Sequence, residues 1–192
     1  MNDIVNNFEI NNNYIENDHY RRYCEYDIYN DVIYFDYYFN RSLDNNILEI
    51  LQKVKTIYFG PIFSFPIDNL PSNINKIVFC EDSIFNHKID NLPNGLQYLI
   101  LGNYFNQPID LLPSSLKKLV LGRDFDKSLD NLPNGLEELF LGFSFSQHLN
   151  CLPDSIKKIV VFDLYIYRDE LEKKYLDEKL RIINVKLIWS KN

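Results

Sequence analysis

An α/β solenoid, mostly β, is the fold class this 192-residue sequence predicts. Three observations carry that expectation. The dipeptide Leu-Pro recurs at Leu70-Pro71, Leu92-Pro93, Leu112-Pro113, Leu132-Pro133 and Leu152-Pro153, at intervals of 22, 20, 20 and 20 residues. A pattern L-x-x-L-x-L stands at fixed phase before each of them. A phenylalanine follows each such pattern at nearly constant spacing. Self-similarity at a period of this size marks a repeat architecture in which each unit buries its apolar face against the next.

From Leu96 the chain reads LQYLILGNYFNQPIDLLP, from Leu116 LKKLVLGRDFDKSLDNLP, and from Leu136 LEELFLGFSFSQHLNCLP. The unit is L-x-x-L-x-L-G-x-x-F-x-x-x-[IL]-D-x-L-P-x-x. Earlier copies start at Val54 and at Ile74, the second with two extra residues between Phe79 and Phe85. A degenerate copy from Val32 to Asp44 keeps Phe35, Phe39, Leu43 and Asp44. A last copy starts at Ile156 and has Tyr165 near the phenylalanine position.

The alternation in L-x-x-L-x-L predicts a short, half-buried strand. Gly102, Gly122 and Gly142 are expected to end the strand where the chain turns. The proline of each Leu-Pro pair lacks an N–H and holds the preceding leucine extended. Twenty residues leave no room for a full return helix, so the return is expected to be an irregular or 3₁₀ turn. Stacking then gives a curved, leucine-rich-repeat-like parallel sheet of seven or eight strands with a phenylalanine-lined convex wall. The column Phe39, Phe63, Phe85, Phe105, Phe125 and Phe145 reads as stacked core.

A second column is Asp44, Asp68, Asp90, Asp110 and Asp130, with Asn150 last. One carboxylate per turn supplies too few oxygens for calcium. Each is expected instead to accept a backbone N–H two residues on, as an Asx-turn.

The segment Phe105-Asn106-Gln107-Pro108-Ile109-Asp110, followed by Leu112-Pro113-Ser114-Ser115-Leu116-Lys117-Lys118-Leu119, resembles the FNIP repeat. That family is a leucine-rich-repeat relative named for its Phe-Asn-x-Pro signature and known from social amoebae and giant viruses. The resemblance covers Val32 to Phe162. Copies depart from it at Ser64-Phe65-Pro66, which lacks the Asn, and at Asp126-Lys127-Ser128, which lacks both Asn and Pro. The resemblance implies the solenoid fold and a role in protein binding. Viral members of this type also resemble ubiquitin-ligase adaptors, with an F-box before the repeats. An F-box needs roughly forty residues of paired helices. Only about 28 residues precede the first repeat here, so the adaptor role is not carried over.

The expected organisation is one domain in three parts: an Asn- and Tyr-rich segment 1–28 acting as a partial cap, repeats over 29–163, and a helix-strand cap over 164–192. The dense tyrosines from Tyr20 to Tyr38 are expected to pack that first cap. Within the last part, Leu171, Tyr175, Leu176 and Leu180 share one face of a helix over 169–180. Ile183, Val185, Leu187 and Trp189 then alternate as a strand. Near the start, Asn46 to Lys53 is expected to make a helical turn through Ile47, Leu48 and Leu51.

The net charge of −7 argues against nucleic acid and against an anionic membrane surface. No apolar run has membrane-spanning length, and the first residues have neither part of a signal peptide. Cys24, Cys80 and Cys151 are widely spaced and odd in number, which fits a reducing compartment. The expected location is the cytoplasm, that of a host if the gene is viral. No nucleotide-binding, zinc-protease or serine-hydrolase motif occurs, so no enzyme, no cofactor and no metal are expected. His19, His87 and His148 lie far apart, the last two in turns expected to be solvated. Cys80 with His87 lacks a second ligand pair.

That leaves the open face of the sheet. In L-x-x-L-x-L the residue between the last two apolar positions points away from the core. That position is Tyr34, Tyr58, Val78, Ile100, Val120, Phe140 and Val160. Two residues earlier stand Val32, Thr56, Lys76, Tyr98, Lys118, Glu138 and Lys158. The expected protein-binding residues are Tyr58, Val78, Tyr98, Ile100, Val120, Phe140 and Val160, with Tyr58, Tyr98 and Phe140 as aromatic anchors. The competing function is a degenerate adaptor or decoy of a ubiquitin ligase.

Overall fold

The computed structural model describes residues 26–162 and 181–185. They form one nine-stranded sheet whose strands lie in sequence order: β1 Tyr26–Tyr29, β2 Val32–Phe35, β3 Thr56–Phe59, β4 Lys76–Phe79, β5 Tyr98–Ile100, β6 Lys118–Val120, β7 Glu138–Phe140, β8 Lys158–Phe162 and β9 Arg181–Val185. From β2 to β9 every pair is parallel. The solenoid with a parallel sheet is therefore as expected.

The first edge corrects the all-parallel expectation. Strand β1 pairs antiparallel with β2, placing Tyr29 opposite Val32. The link is Asn30-Asp31, with φ of 47° and 63°. Two left-handed residues in a two-residue loop match the twist of a hairpin, and Asn and Asp tolerate that region best after glycine. One helix, α1 Asn45–Leu51, replaces the first Leu-Pro turn and buries Ile47 and Leu51. Asp44 caps it, accepting the Ile47 N–H at 3.0 Å. The expected helix over 169–180 and the alternation at Leu187 and Trp189 lie outside the described residues, whereas 181–185 form β9 as expected.

The interior consists of columns, one residue per coil. Val54, Ile74, Leu96, Leu116, Leu136 and Ile156 form one, and Ile57, Ile77, Leu99, Leu119, Leu139 and Ile159 another, all buried. The phenylalanine column runs as expected, with neighbouring ring centroids 5.8–6.3 Å apart and nearly parallel planes. A second aromatic row joins it in the first half. Phe35, Phe59 and Phe79 stack on one another and each meets the outer phenylalanine of its own coil at 4.3 Å. Leu101, Leu121 and Leu141 take over that row.

Two turns shape each regular coil. The first closes G-x-x-F, as when the Phe105 N–H donates to the Gly102 carbonyl at 3.3 Å. The second closes P-x-x-L, as when the Leu116 N–H donates to the Pro113 carbonyl at 3.1 Å. No 3₁₀ helix occurs among the described residues. The glycines do more than allow a turn. None has positive φ. Their need is proximity: a Cβ on Gly122 would lie 2.2 Å from the Gly102 oxygen, and one on Gly142 2.0 Å from the Gly122 oxygen.

The turns are also tied from coil to coil by side chains. Asn40 accepts the Ser64 N–H, Asn86 the Asn106 N–H, Asn106 the Asp126 N–H and Asp126 the Ser146 N–H, all at 2.9–3.0 Å. Ser64 interrupts this ladder, and there the His87 Nε2–H donates to the Ser64 carbonyl at 3.0 Å. On the far turn, Ser115 and Ser155 hydroxyls donate to the Leu96 and Leu136 carbonyls of the preceding coil. Buried or half-buried backbone groups thus find partners where no strand ladder reaches them.

Asp68, Asp90, Asp110 and Asp130 do not make the expected Asx-turns. Asp44 is a helix cap, Asp110 accepts from the Asn131 side chain, and Asp130 accepts from the Ser128 hydroxyl. Asp68, Asp110 and Asp130 are exposed and Asp90 half-buried. The Leu-Pro turn is closed by backbone alone, which removes the need for an Asx contact.

Candidate interaction face

The strand register places the outward residues in line. Tyr34 pairs with Tyr58, then Val78, Ile100, Val120, Phe140 and Val160 follow across successive strands. The parallel column two residues earlier runs Val32, Thr56, Lys76, Tyr98, Lys118, Glu138, Lys158 and, by backbone register, Arg181. A constant register is required, because a one-residue slip would turn the outward set into the core.

The column is not uniformly bare. Tyr98 is 41% exposed, and Tyr58, Ile100 and Val120 are half-buried. Val78, Phe140 and Val160 are buried, at 4%, 8% and 6%. Val78 is short and lies between Tyr58 and Ile100. Phe140 has a lysine on either side, with Lys118 Nζ 4.8 Å and Lys158 Nζ 4.9 Å from its ring centroid. Lys76 Nζ lies 5.5 Å from the Tyr58 centroid and donates to its hydroxyl at 3.2 Å. Lysine stems cover apolar surface while their heads stay in water. What the face offers is aromatic and aliphatic side chains roofed by ammonium groups. Tyr34 and Tyr58 stack at 4.8 Å at its start.

A third column stands at the entry to the strands: Asp31, Lys55, Asn75, Gln97, Lys117, Glu137 and Lys157. Glu137 lies between two lysines, 2.5 Å from Lys157 and 3.5 Å from Lys117. These cations hold the Glu137 carboxyl below its ordinary pKa, the Lys157 hydrogen bond contributing most. Beside it Lys118 pairs with Glu138 at 3.0 Å.

The other candidate groups form no site. Cys80 is half-buried, and burial pushes its thiol up to about 11, away from the reactive thiolate. His87 is not solvated as expected. It is half-buried in the coil-to-coil contact described above. His148 is exposed. No group of three or more metal-ligating side chains occurs among the described residues.

The family model for the FNIP Repeat matches residues 85–111 and 105–144. Residues 85–144 are thus similar to FNIP repeats. The Asn of the Phe-Asn-x-Pro signature is the ladder residue that accepts the next coil's N–H, and Asp126 does the same work with a carboxylate oxygen. In this chain either an amide or a carboxylate oxygen serves as the acceptor at that position. The crystal structure of CroV588, described as a novel circular leucine-rich-repeat protein, is similar in fold, with a TM-score of 0.52 at 26% identity. The match covers 74% of this chain and 29% of that one, so this chain spans less than a third of the protein it matches. No curated protein matches the chain. A leucine-rich-repeat-like solenoid with FNIP-like repeats fits a protein-interaction module. No helix among the described residues is long and apolar enough to cross a membrane.

Proposed function

We propose that the chain is a non-catalytic module that holds a partner protein against the open face of its sheet. The observation that carries this reading is the register of the columns, which lines up Tyr58, Val78, Tyr98, Ile100, Val120, Phe140 and Val160 across six strands. Tyr98, Tyr58, Ile100 and Val120 are the contact residues with side-chain surface to give. Val78, Phe140 and Val160 form the buried floor, with Lys118 and Lys158 over Phe140. Aromatic residues at the centre of a rigid face provide large contact area with little entropy to lose. The module works in a reducing, cytoplasmic setting, a host's if the gene is viral.

The test uses the full chain as bait with and without Tyr98→Ser and Ile100→Ser. These positions are chosen over Phe140 because Phe140 is buried and its loss would perturb folding. The bound protein should be lost while the urea unfolding midpoint stays within a small shift of wild type. Undiminished capture by the folded variant would move the contact off this face. Ubiquitin-ligase components retained by that variant would favour the adaptor reading instead.

A further inference from the structure

The chain is acidic, yet its charge is not evenly spread. Between residues 26 and 162 there are eleven Lys and Arg and sixteen Asp and Glu. Six of those cations, Lys55, Lys76, Lys117, Lys118, Lys157 and Lys158, stand on the two adjacent columns at the entry and outer face of the strands. Only three of the carboxylates, Asp31, Glu137 and Glu138, share them. The rest of these residues therefore carry five cations against thirteen carboxylates, while the binding columns are net positive.

We infer that the partner presents an acidic, extended protein segment with interspersed apolar side chains to this face. The inference rests on the proposed function and deepens it by giving the partner's chemistry. The ammonium heads of Lys76, Lys118 and Lys158 lie over the rings of Tyr58 and Phe140, and Lys55, Lys117 and Lys157 stand beside them at the strand entries. A ligand must therefore offer carboxylates and apolar groups at short spacing, which an acidic peptide does. A nucleic acid fits worse. Its backbone carries a dense, continuous line of charge, whereas this band is broken at β7 by Glu137 and Glu138. The thirteen carboxylates elsewhere would also repel it. Complementary charge of this kind chooses among partners and speeds encounter.

The experiment measures fluorescence anisotropy of a labelled Glu-rich peptide carrying Leu at every third position, with the full chain as receptor. Controls are the same peptide with Lys for Glu, and a DNA duplex. The acidic peptide should bind, and binding should weaken as salt rises. The double variant Lys117→Glu/Lys157→Glu should weaken it by about tenfold or more. Lys53→Glu/Lys88→Glu, an equal charge change at exposed lysines off the face, should leave it nearly unchanged. No binding, equal binding of the Lys peptide, tighter binding of the duplex, or equal loss in both double variants would each overturn the inference. Concentration-dependent dimerisation that disappears in Lys117→Glu/Lys157→Glu would also overturn it, in favour of a second copy of this chain. Should the peptide fail while Tyr98→Ser and Ile100→Ser still abolish partner capture, the face stands and only the acidic partner falls.

Discussion

The Asn106 side chain accepts the backbone N–H of Asp126, twenty residues further along, at 3.0 Å. This bond joins two turns that have no strand ladder between them. It explains why an amide recurs after the coil phenylalanine.

Asn106→Ala should therefore leave the half-buried Asp126 N–H without its acceptor. The expected cost is about 1 kcal/mol, toward the low end for an unsatisfied buried donor. Asn106→Asp should keep most of the stability, because Asp126 itself plays this role toward Ser146. Urea unfolding of the three proteins measures both. Equal loss in the Ala and Asp variants would refute the acceptor role.

Phe105 is fully buried, 6.3 Å from Phe85 and 6.2 Å from Phe125 by ring centroid. Phe105→Ala should cost about 3–5 kcal/mol. Hydrogen exchange should rise in the coils on both sides, since each leans on the next. Exchange confined to one coil would contradict column-wise packing.

Gly122→Ala would place a methyl 2.2 Å from the Gly102 oxygen, against backbone that cannot move alone. We expect about 1–3 kcal/mol of destabilisation from overpacking. Gly135→Ala, whose added carbon would meet the Ser114 oxygen at 2.9 Å, should cost less. A reversed order in thermal unfolding would remove proximity as the reason for the glycine column.

Burial raises the Asp126 pKa, but hydrogen bonds from the Gln147 side chain and from the Ser146 N–H and hydroxyl outweigh it, so the net shift is downward. A carboxyl depressed in the folded state stabilises above its unfolded pKa and loses that contribution as pH falls through its folded one. Wild type should lose stability on acidification more steeply than Asp126→Asn below the ordinary aspartate range. Parallel pH profiles would show that Asp126 contributes nothing by ionising.

The period, the strand positions, the phenylalanine column and the outward column were legible in the sequence because each is fixed by spacing alone. The antiparallel β1 was missed, although Asn30-Asp31 between apolar alternations is a hairpin signal in its own right. The aspartates were misread because local side-chain turns and backbone-closed turns have the same residue preferences. Their difference lies in where the Pro carbonyl points. The burial of Phe140 was not legible either. Lys118 and Lys158, from the coils on either side, stand over its ring, and linear order does not place them there. The local excess of lysines was hidden inside a net charge of −7. Only the register sorts those charges onto a face.

The open face is tested most directly by site-specific photo-crosslinking. A benzoylphenylalanine at Tyr98, on the face and 41% exposed, is compared with one at Leu111, 63% exposed on the turn side. A covalent adduct with the partner is expected from position 98 and none from position 111. An adduct from 111 with none from 98 would contradict it.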